Sequence, residues 1–201
     1  KIENIARENG LNIEEMPIVN PQSPELAEER AKYAEVFFAK RQRKGINHYE
    51  SKKLMNDRYY FGAMMVEMGA ADAMISGLTK NYADAIRPAL QVIGVEQGVK
   101  KIAGMYLLLT KKGPLFLADT TINFNPTAEE LAEITLLVAR EVGNFNIVPK
   151  IAMISYSNFG SNPAPEARLV AEATKIVKQK NPSFGISRIR KVNDGGRIAG
   201  L

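Results

Sequence analysis

Two hydroxyl-rich segments and one arginine are the parts of this sequence best suited to holding an anion. Ser76-Gly77-Leu78-Thr79-Lys80-Asn81 stands between a short apolar run and a helix-forming stretch. Small and hydroxyl residues there let backbone N–H groups approach a phosphate, and a helix N-terminus adds positive potential. Arg87 follows in that helix, and its planar donors suit phosphate or carboxylate better than lysine would. The same residues also fit a plain strand-to-helix turn with Arg87 in a structural ion pair, Asp72 and Asp84 being placed to orient it. Ser155-Tyr156-Ser157-Asn158-Phe159-Gly160-Ser161 repeats the arrangement at a second expected strand end. Its serines could bind an anion or satisfy their own backbone.

Other side chains narrow the chemistry. Neither segment has the glycine pattern of a Walker loop or a dinucleotide fingerprint. Lys40, Arg41, Arg43 and Lys44 close a long helix, where the dipole favours cations. They form either a solvated helix end or a contact to a phosphate-bearing ligand. Asp119, Asn123 and Asn125 offer oxygens to a hard metal, but no second carboxylate is near in sequence, so Asp119 is expected to fix its loop instead. The chain has 1 histidine, His48, in a charged segment that makes a poor Ser-His-Asp base, and 0 cysteines. Disulfides, thiolate catalysis and cysteine-based metal sites are thereby excluded.

The elements that must position these groups alternate. Ile13 to Val19 reads as a short strand, and Ser23-Pro24 opens a helix carrying Ala27, Ala31, Ala34 and Phe38, flanked by Tyr33 and Phe37, which Gly45 ends. Asn47 to Glu50 has capping-box spacing for a helix to about Asn56, and Tyr59 to Met68 repeats the helical period. Ala71 to Ser76 reads as a buried strand. Asn81 caps a helix with Ile86, Ala89, Leu90 and Ile93 inward. Ile102–Thr110 and Leu115–Asp119 read as two strands around the turn Lys111 to Pro114. Thr127-Ala128-Glu129-Glu130 opens a further helix, with Leu131, Ile134, Val138 and Val142 on one side. Lys150–Tyr156 reads as a strand, and Pro165–Lys180 as a helix with Leu169, Ala173, Ile176 and Val177 inward. The methionines between Met55 and Met74 read as core packing. This alternation predicts an α/β fold with a mixed, largely parallel sheet, whose ligands sit where strands enter helices.

Composition sets the outer limits. The 201 residues are 45% hydrophobic and 24% charged, which suits a globular protein and excludes a fibrous or disordered one. Lys and Arg number 27 against 22 Asp and Glu, a net +5 that suits an anionic small ligand at least as well as nucleic acid. No uncharged apolar run approaches the roughly 18 residues of a membrane span. No aromatic platform or recognition motif accompanies the basic tail, so neither nucleic acid nor membrane is expected as a partner. No signal peptide is visible, and the cytoplasm is the default compartment. A start at Lys1 reads as a fragment of a longer chain or a trimmed product.

Several ordered strings resemble the phosphotransacetylase (phosphate acetyl/butyryltransferase) family. They are Tyr60-Phe61-Gly62-Ala63-Met64-Met65-Val66-Glu67-Met68-Gly69, Asp72-Ala73-Met74-Ile75-Ser76-Gly77 and Ile86-Arg87-Pro88-Ala89-Leu90-Gln91-Val92-Ile93. Leu117-Ala118-Asp119-Thr120, Asn125-Pro126-Thr127-Ala128-Glu129-Glu130-Leu131-Ala132 and Ala152-Met153-Ile154-Ser155-Tyr156-Ser157 continue the match. The resemblance covers roughly residues 10 to 186. Phe61 to Val66, Arg41-Gln42-Arg43-Lys44-Gly45 and Ser155 to Ser161 look most like the phosphotransacetylase-like C-terminal domain of bacterial NADP-dependent malic enzymes.

The resemblance implies an isocitrate/isopropylmalate dehydrogenase-like class, with helices on both faces of the sheet and a second subdomain that is incomplete here. It divides the chain into a partial phosphotransacetylase-like domain, 1–186, and an unassigned basic Gly-rich tail, 187–201. It implies acetyl-CoA as a regulatory ligand that inhibits malate oxidation, and a homo-oligomer. NADP and a divalent metal are implied only for a malic enzyme part lying outside this chain. The ligand contacts would be Arg41, Ser76, Gly77, Asn81, Arg87, Ser157, Gly160 and Ser161. Departures from active transacetylases favour recognition over reaction. Asn81 and Tyr82 stand where those carry a Ser-Thr pair, and Phe159 stands where they carry Lys. Losing a charged donor to phosphate costs about 1.5–3 kcal/mol of binding. The family's catalytic aspartate has no counterpart here that can be named. The alternative is an active phosphate acetyltransferase moving acetyl between acetyl phosphate and CoA.

Overall fold

The computed structural model describes residues 2–77, 80–119, 121–155 and 164–189. The chain packs as two compact units, Lys1–Gly94 and Val95–Leu201.

The first unit is helical among its described residues. It contains α1 (Ile2–Glu8), α2 (Ala27–Arg41), α3 (His48–Leu54), α4 (Arg58–Glu67) and α5 (Tyr82–Val92). Short 3-10 turns, Pro24–Leu26 and Gln42–Lys44, flank α2. Ser23 precedes the first turn but makes no side-chain cap; Pro24 supplies the start. Gly45, at φ 91°, takes the left-handed conformation that stops the second turn. Asn47 and Glu50 form the expected capping box of α3.

The core of this unit is built on α4. Its Tyr59, Tyr60, Phe61, Ala63 and Met64 are all buried, because apolar groups lie all round it rather than in one stripe. Tyr33 packs on Phe61 with centroids 5.1 Å apart, and Phe37 meets Tyr60 edge-on at 5.6 Å. Met55 and Met64 are fully buried and Met65, Met68 and Met74 pack alongside, as expected of packing methionines. The inward face of α2 is Tyr33, Ala34 and Phe37, with Ala27 and Ala31 exposed. Of the expected apolar positions Ala34 faces the core, and the flanking Tyr33 and Phe37 set the inward face, since two aromatic rings remove more apolar area from water than two methyls. Phe38 instead stacks on His48 at 3.6 Å.

Two expected strands are absent. Ile13 to Val19 forms a turn (Met16 N–H to Ile13 O, 2.9 Å) and lies mostly exposed around Pro17. Ala71 to Ser76 has no ladder partner, although Met74 tucks against Gly62. A short apolar run carries no information about whether a neighbouring strand exists to pair with it.

The second unit carries β1 (Met105–Thr110), β2 (Gly113–Ala118), α6 (Ala128–Asn144), β3 (Lys150–Ile154), α7 (Pro165–Lys180) and β4 (Gly185–Ile189). β1 and β2 are an antiparallel hairpin, Met105 opposite Ala118 and Thr110 opposite Gly113. β3 and β4 run parallel, joined through α7, with Lys150 opposite Gly185. β4 was not anticipated and runs across the 186/187 boundary read from the sequence. The expected single, largely parallel sheet is therefore replaced, among the described residues, by two two-stranded sheets. The architecture is α/β, with helices and small sheets. Ala128, Ala132, Met153, Ala173, Val177 and Ile186 form this unit's core, where α6 and α7 pack together.

Thr127 caps α6 by accepting Glu130 N–H, and Glu130 reaches back to Thr127 N–H. Replacing Thr127 with Ala is expected to lower stability by about 1 kcal/mol, seen as a lower urea midpoint at unchanged slope. A midpoint equal to wild type would show that this cap contributes nothing.

Candidate functional site

Arg41 and Arg87, 46 positions apart, line one open groove of about 430 Å³ together with Ala83, Ile86, Leu90 and Gln91. Arg41 is brought there by the C-terminal end of α2, and the other five by α5. Ala83, Ile86, Arg87 and Leu90 recur at helical spacing, which puts an apolar strip beside a cation. The inward positions of α5 are Pro88 and Val92, so Ile86, Ala89 and Leu90 are only partly buried and Ile93 is exposed. Ile86 and Leu90, expected in the core, thus line the groove instead.

The two arginines differ in their partners. Arg87 Nη1 lies 3.2 Å from Asp84 Oδ1, so Asp84 orients it as the sequence suggested. Arg41 Nε is buried and has no hydrogen-bond partner. Leaving a buried charged donor unsatisfied costs at least about 1–3 kcal/mol.

Asn81 is the N-cap of α5. Its Oδ1 accepts Asp84 N–H at 2.9 Å and its Nδ2 donates to Asp84 Oδ2 at 2.7 Å. Both ends of the amide are therefore engaged by Asp84, and Asn81 reaches the groove only through the chain Asn81–Asp84–Arg87. Ser76 and Gly77 are exposed, in a segment with no regular structure, and do not line the groove. Ser157, Gly160 and Ser161 lie outside the described residues. Of the expected contacts, the structure brings Arg41 and Arg87 together directly.

Gln91, which lines the groove, and Tyr60, a core residue bonded to it, were not among the candidate site residues. Gln91 lies four positions after Arg87 on the same helical face, a spacing that could have flagged it. Tyr60 gave no signal beyond its apolar neighbours. Its O–H donates to Gln91 Oε1 at 2.8 Å. Burial is the main cause that pushes this phenol's pKa up; Asp57 adds to that, while Arg87 and Arg41 oppose it.

Below the groove, Asp57 caps α4 through Tyr59 and Tyr60 N–H. Lys80 Nζ sits 2.8 Å from Asp57 Oδ2 and 4.1 Å from the Tyr59 ring centroid, tying the segment before α5 to α4. In the second unit, Asp119 Oδ1 accepts Asn123 Nδ2 at 3.2 Å, and that amide also donates to Ile102 O at 3.0 Å. Asp119 thus fixes its loop. No three His, Cys, Asp or Glu gather as a metal cluster among the described residues. No helix among them is long and apolar enough to cross a membrane.

Strings shared with acyl-group transferases, a helical unit followed by an α/β unit, and an arginine-lined groove define a phosphotransacetylase-type domain. The Phosphate acetyl/butaryl transferase family matches residues 1–187, and the chain belongs to that family. A phosphate acetyltransferase of Nitratidesulfovibrio vulgaris is 38% identical over 176 residues, 87% of this chain and 24% of the relative. The NADP-dependent malic enzyme of Escherichia coli is 36% identical over 182 residues, 88% of this chain and 24% of the relative. Among solved structures, the EutD phosphotransacetylase from Staphylococcus aureus aligns with a TM-score of 0.76 at 29% identity, covering 96% of this chain and 57% of that one. A phosphotransacetylase from Streptococcus pyogenes gives 0.75 at 33%, covering 92% and 56%. The chain therefore spans about a quarter of these two curated relatives and little more than half of the two solved chains.

Burial alone would raise the Asp57 carboxyl, but the Lys80 ammonium and the capped N–H groups outweigh it and hold the pKa below its ordinary value. A depressed carboxylate stabilises the fold fully above its unfolded pKa and loses that contribution as pH falls through the folded one. Asp57→Asn keeps the cap and removes the charge. Urea unfolding of the variant is expected to show a shallower loss of stability below about pH 4 than wild type. Parallel acid limbs would mean that the Lys80 pair does not couple to folding.

Proposed function

We propose that the chain is the phosphotransacetylase-like part of a longer NADP-dependent malic enzyme. In this reading it recognises acetyl-CoA, or an acyl carrier of the same chemistry, without turning it over. The observation that carries the reading is the buried, unpartnered Nε of Arg41 beside Arg87 in one groove. Two cations sharing a groove, one of them unsatisfied, favour a multiply charged anion such as a phosphate of CoA. The strip of Ala83, Ile86 and Leu90 suits the apolar length that adjoins such a head.

Recognition without reaction is supported by how α5 begins. Asn81 is engaged as a cap, and Tyr82, the first residue of the helix, is 51% exposed where active family members resemble one another in a Ser-Thr pair. Binding would inhibit a distant malate-oxidising centre through different affinities for active and inactive assemblies. NADP and the divalent metal are assigned to the part of such a protein outside this chain. The dehydrogenase-like two-subdomain frame, a homo-oligomeric assembly and a cytoplasmic setting belong to the same proposal.

A second reading is favoured by the relatives' names, which lean toward phosphate acetyltransferase. There the thiolate of CoA attacks the carbonyl of acetyl phosphate, a thioester forms and inorganic phosphate leaves. Arg41 and Arg87 would stabilise the charge that develops.

Titration calorimetry of acetyl-CoA into the chain separates these readings when paired with an assay of acetyl phosphate and CoA. We expect binding, loss of about tenfold or more in affinity for Arg41→Ala and for Arg87→Ala with helical content retained, and no acetyl transfer. Transfer at ordinary enzyme rates would replace the first reading with the second. Affinity unchanged in both variants would remove the groove as the site.

A further inference from the structure

Gln91 carries an acceptor and two donors on one amide, and which end faces a ligand decides what the groove can bind. We propose that Tyr60 is a positioning residue that turns this amide and makes the groove a donor-only receptor. It would select ligand groups that accept hydrogen bonds and bring none of their own. The identity of the ligand rests on the functional reading above; the positioning role does not.

The Tyr60 ring is held by burial and by the Phe37 edge at 5.6 Å. Its hydroxyl donates to Gln91 Oε1 at 2.8 Å, and burial, by raising the phenol's pKa, further favours the protonated form. With Oε1 engaged below, Nε2 is the end of the amide left to the groove. Arg41 adds an unsatisfied Nε–H and Arg87 a guanidinium. The Asp84 carboxylate, one turn before Arg87, is engaged on both oxygens, by Arg87 on one and Asn81 Nδ2 on the other. An ionised phosphate or an acyl carbonyl meets only donors here. A ligand group bearing its own N–H or O–H meets only oxygens that already accept a bond, and makes a poorer bond than it had in water.

The test is a double-mutant cycle read as affinity for acetyl-CoA, with urea unfolding of each variant as a separate control. Tyr60→Phe is expected to weaken binding about fivefold, the worth of one neutral hydrogen bond. In a Gln91→Met background, which has no amide to turn, Tyr60→Phe should cost nothing further. Equal costs in both backgrounds, or none in either, overturn the proposal. Nitrogen-15 spectra of the wild-type chain give a readout free of folding effects. Inorganic phosphate should shift the Gln91 side-chain amide together with the Arg41 Nε–H, and an unmoved Gln91 amide overturns the proposal as well. If phosphate binds while acetyl-CoA does not, the functional reading falls by itself and the cycle is read with phosphate. If neither binds, both fall.

Discussion

A guanidinium whose Nε–H is buried without an acceptor is a cost that the fold must carry, and the first unit is arranged to carry it. Arg41 ends α2, and α2 is fixed because Tyr33 and Phe37 are locked into the aromatic core of α4. The helix cannot roll to bring Arg41 to water without unpacking those rings. In the proposed function, a ligand that reached Arg41 would meet a side chain already held by the fold and would spend little on ordering it.

The residues around that donor divide the work. Asp84 neutralises Arg87 and, through Asn81, also secures the start of α5, so charge and helix position are coupled in one carboxylate. Pro88, buried inside α5, removes an N–H from the helix interior and presents its ring to the core. The outward face of the same helix keeps the apolar strip for the groove. Asp57 joins a helix cap to an ion pair with Lys80, which anchors the segment leading into α5. Residues that resemble a family's ligand contacts thus include some, Asn81 above all, whose interactions here are internal to the protein.

Helix ends were the most legible features. The capping boxes at Asn47 and Thr127 are written in four adjacent residues and need no partner from elsewhere, and α7 begins at its expected proline. Helix faces were less legible. In α2 the alanines gave the period but the aromatics gave the direction, and in α5 the bulky aliphatic residues face the groove while a proline and a valine face in. Strands were least legible, since Ile13–Val19 and Ala71–Ser76 have strand composition without a neighbour, whereas Gly185–Ile189 gains strand character by pairing with β3. Of the site, both arginines were readable from residue type; the Tyr60–Gln91 bond was not, since Tyr60 has the pattern of a core residue.

The sequence by itself determined the family, the starts of the helices capped by Asn47, Asn81 and Thr127 and the exclusion of cysteine chemistry, because these depend on residue identity and on contacts within a few positions; α1 was not anticipated. Only the tertiary structure decided that Arg41 meets Arg87, that Arg41 Nε lacks an acceptor, and which end of Gln91 is free. Those facts arise from side chains brought together across 30 to 50 positions by the packing of α2, α4 and α5. No local propensity encodes such a meeting; it exists only once the aromatic core has set the helices against one another.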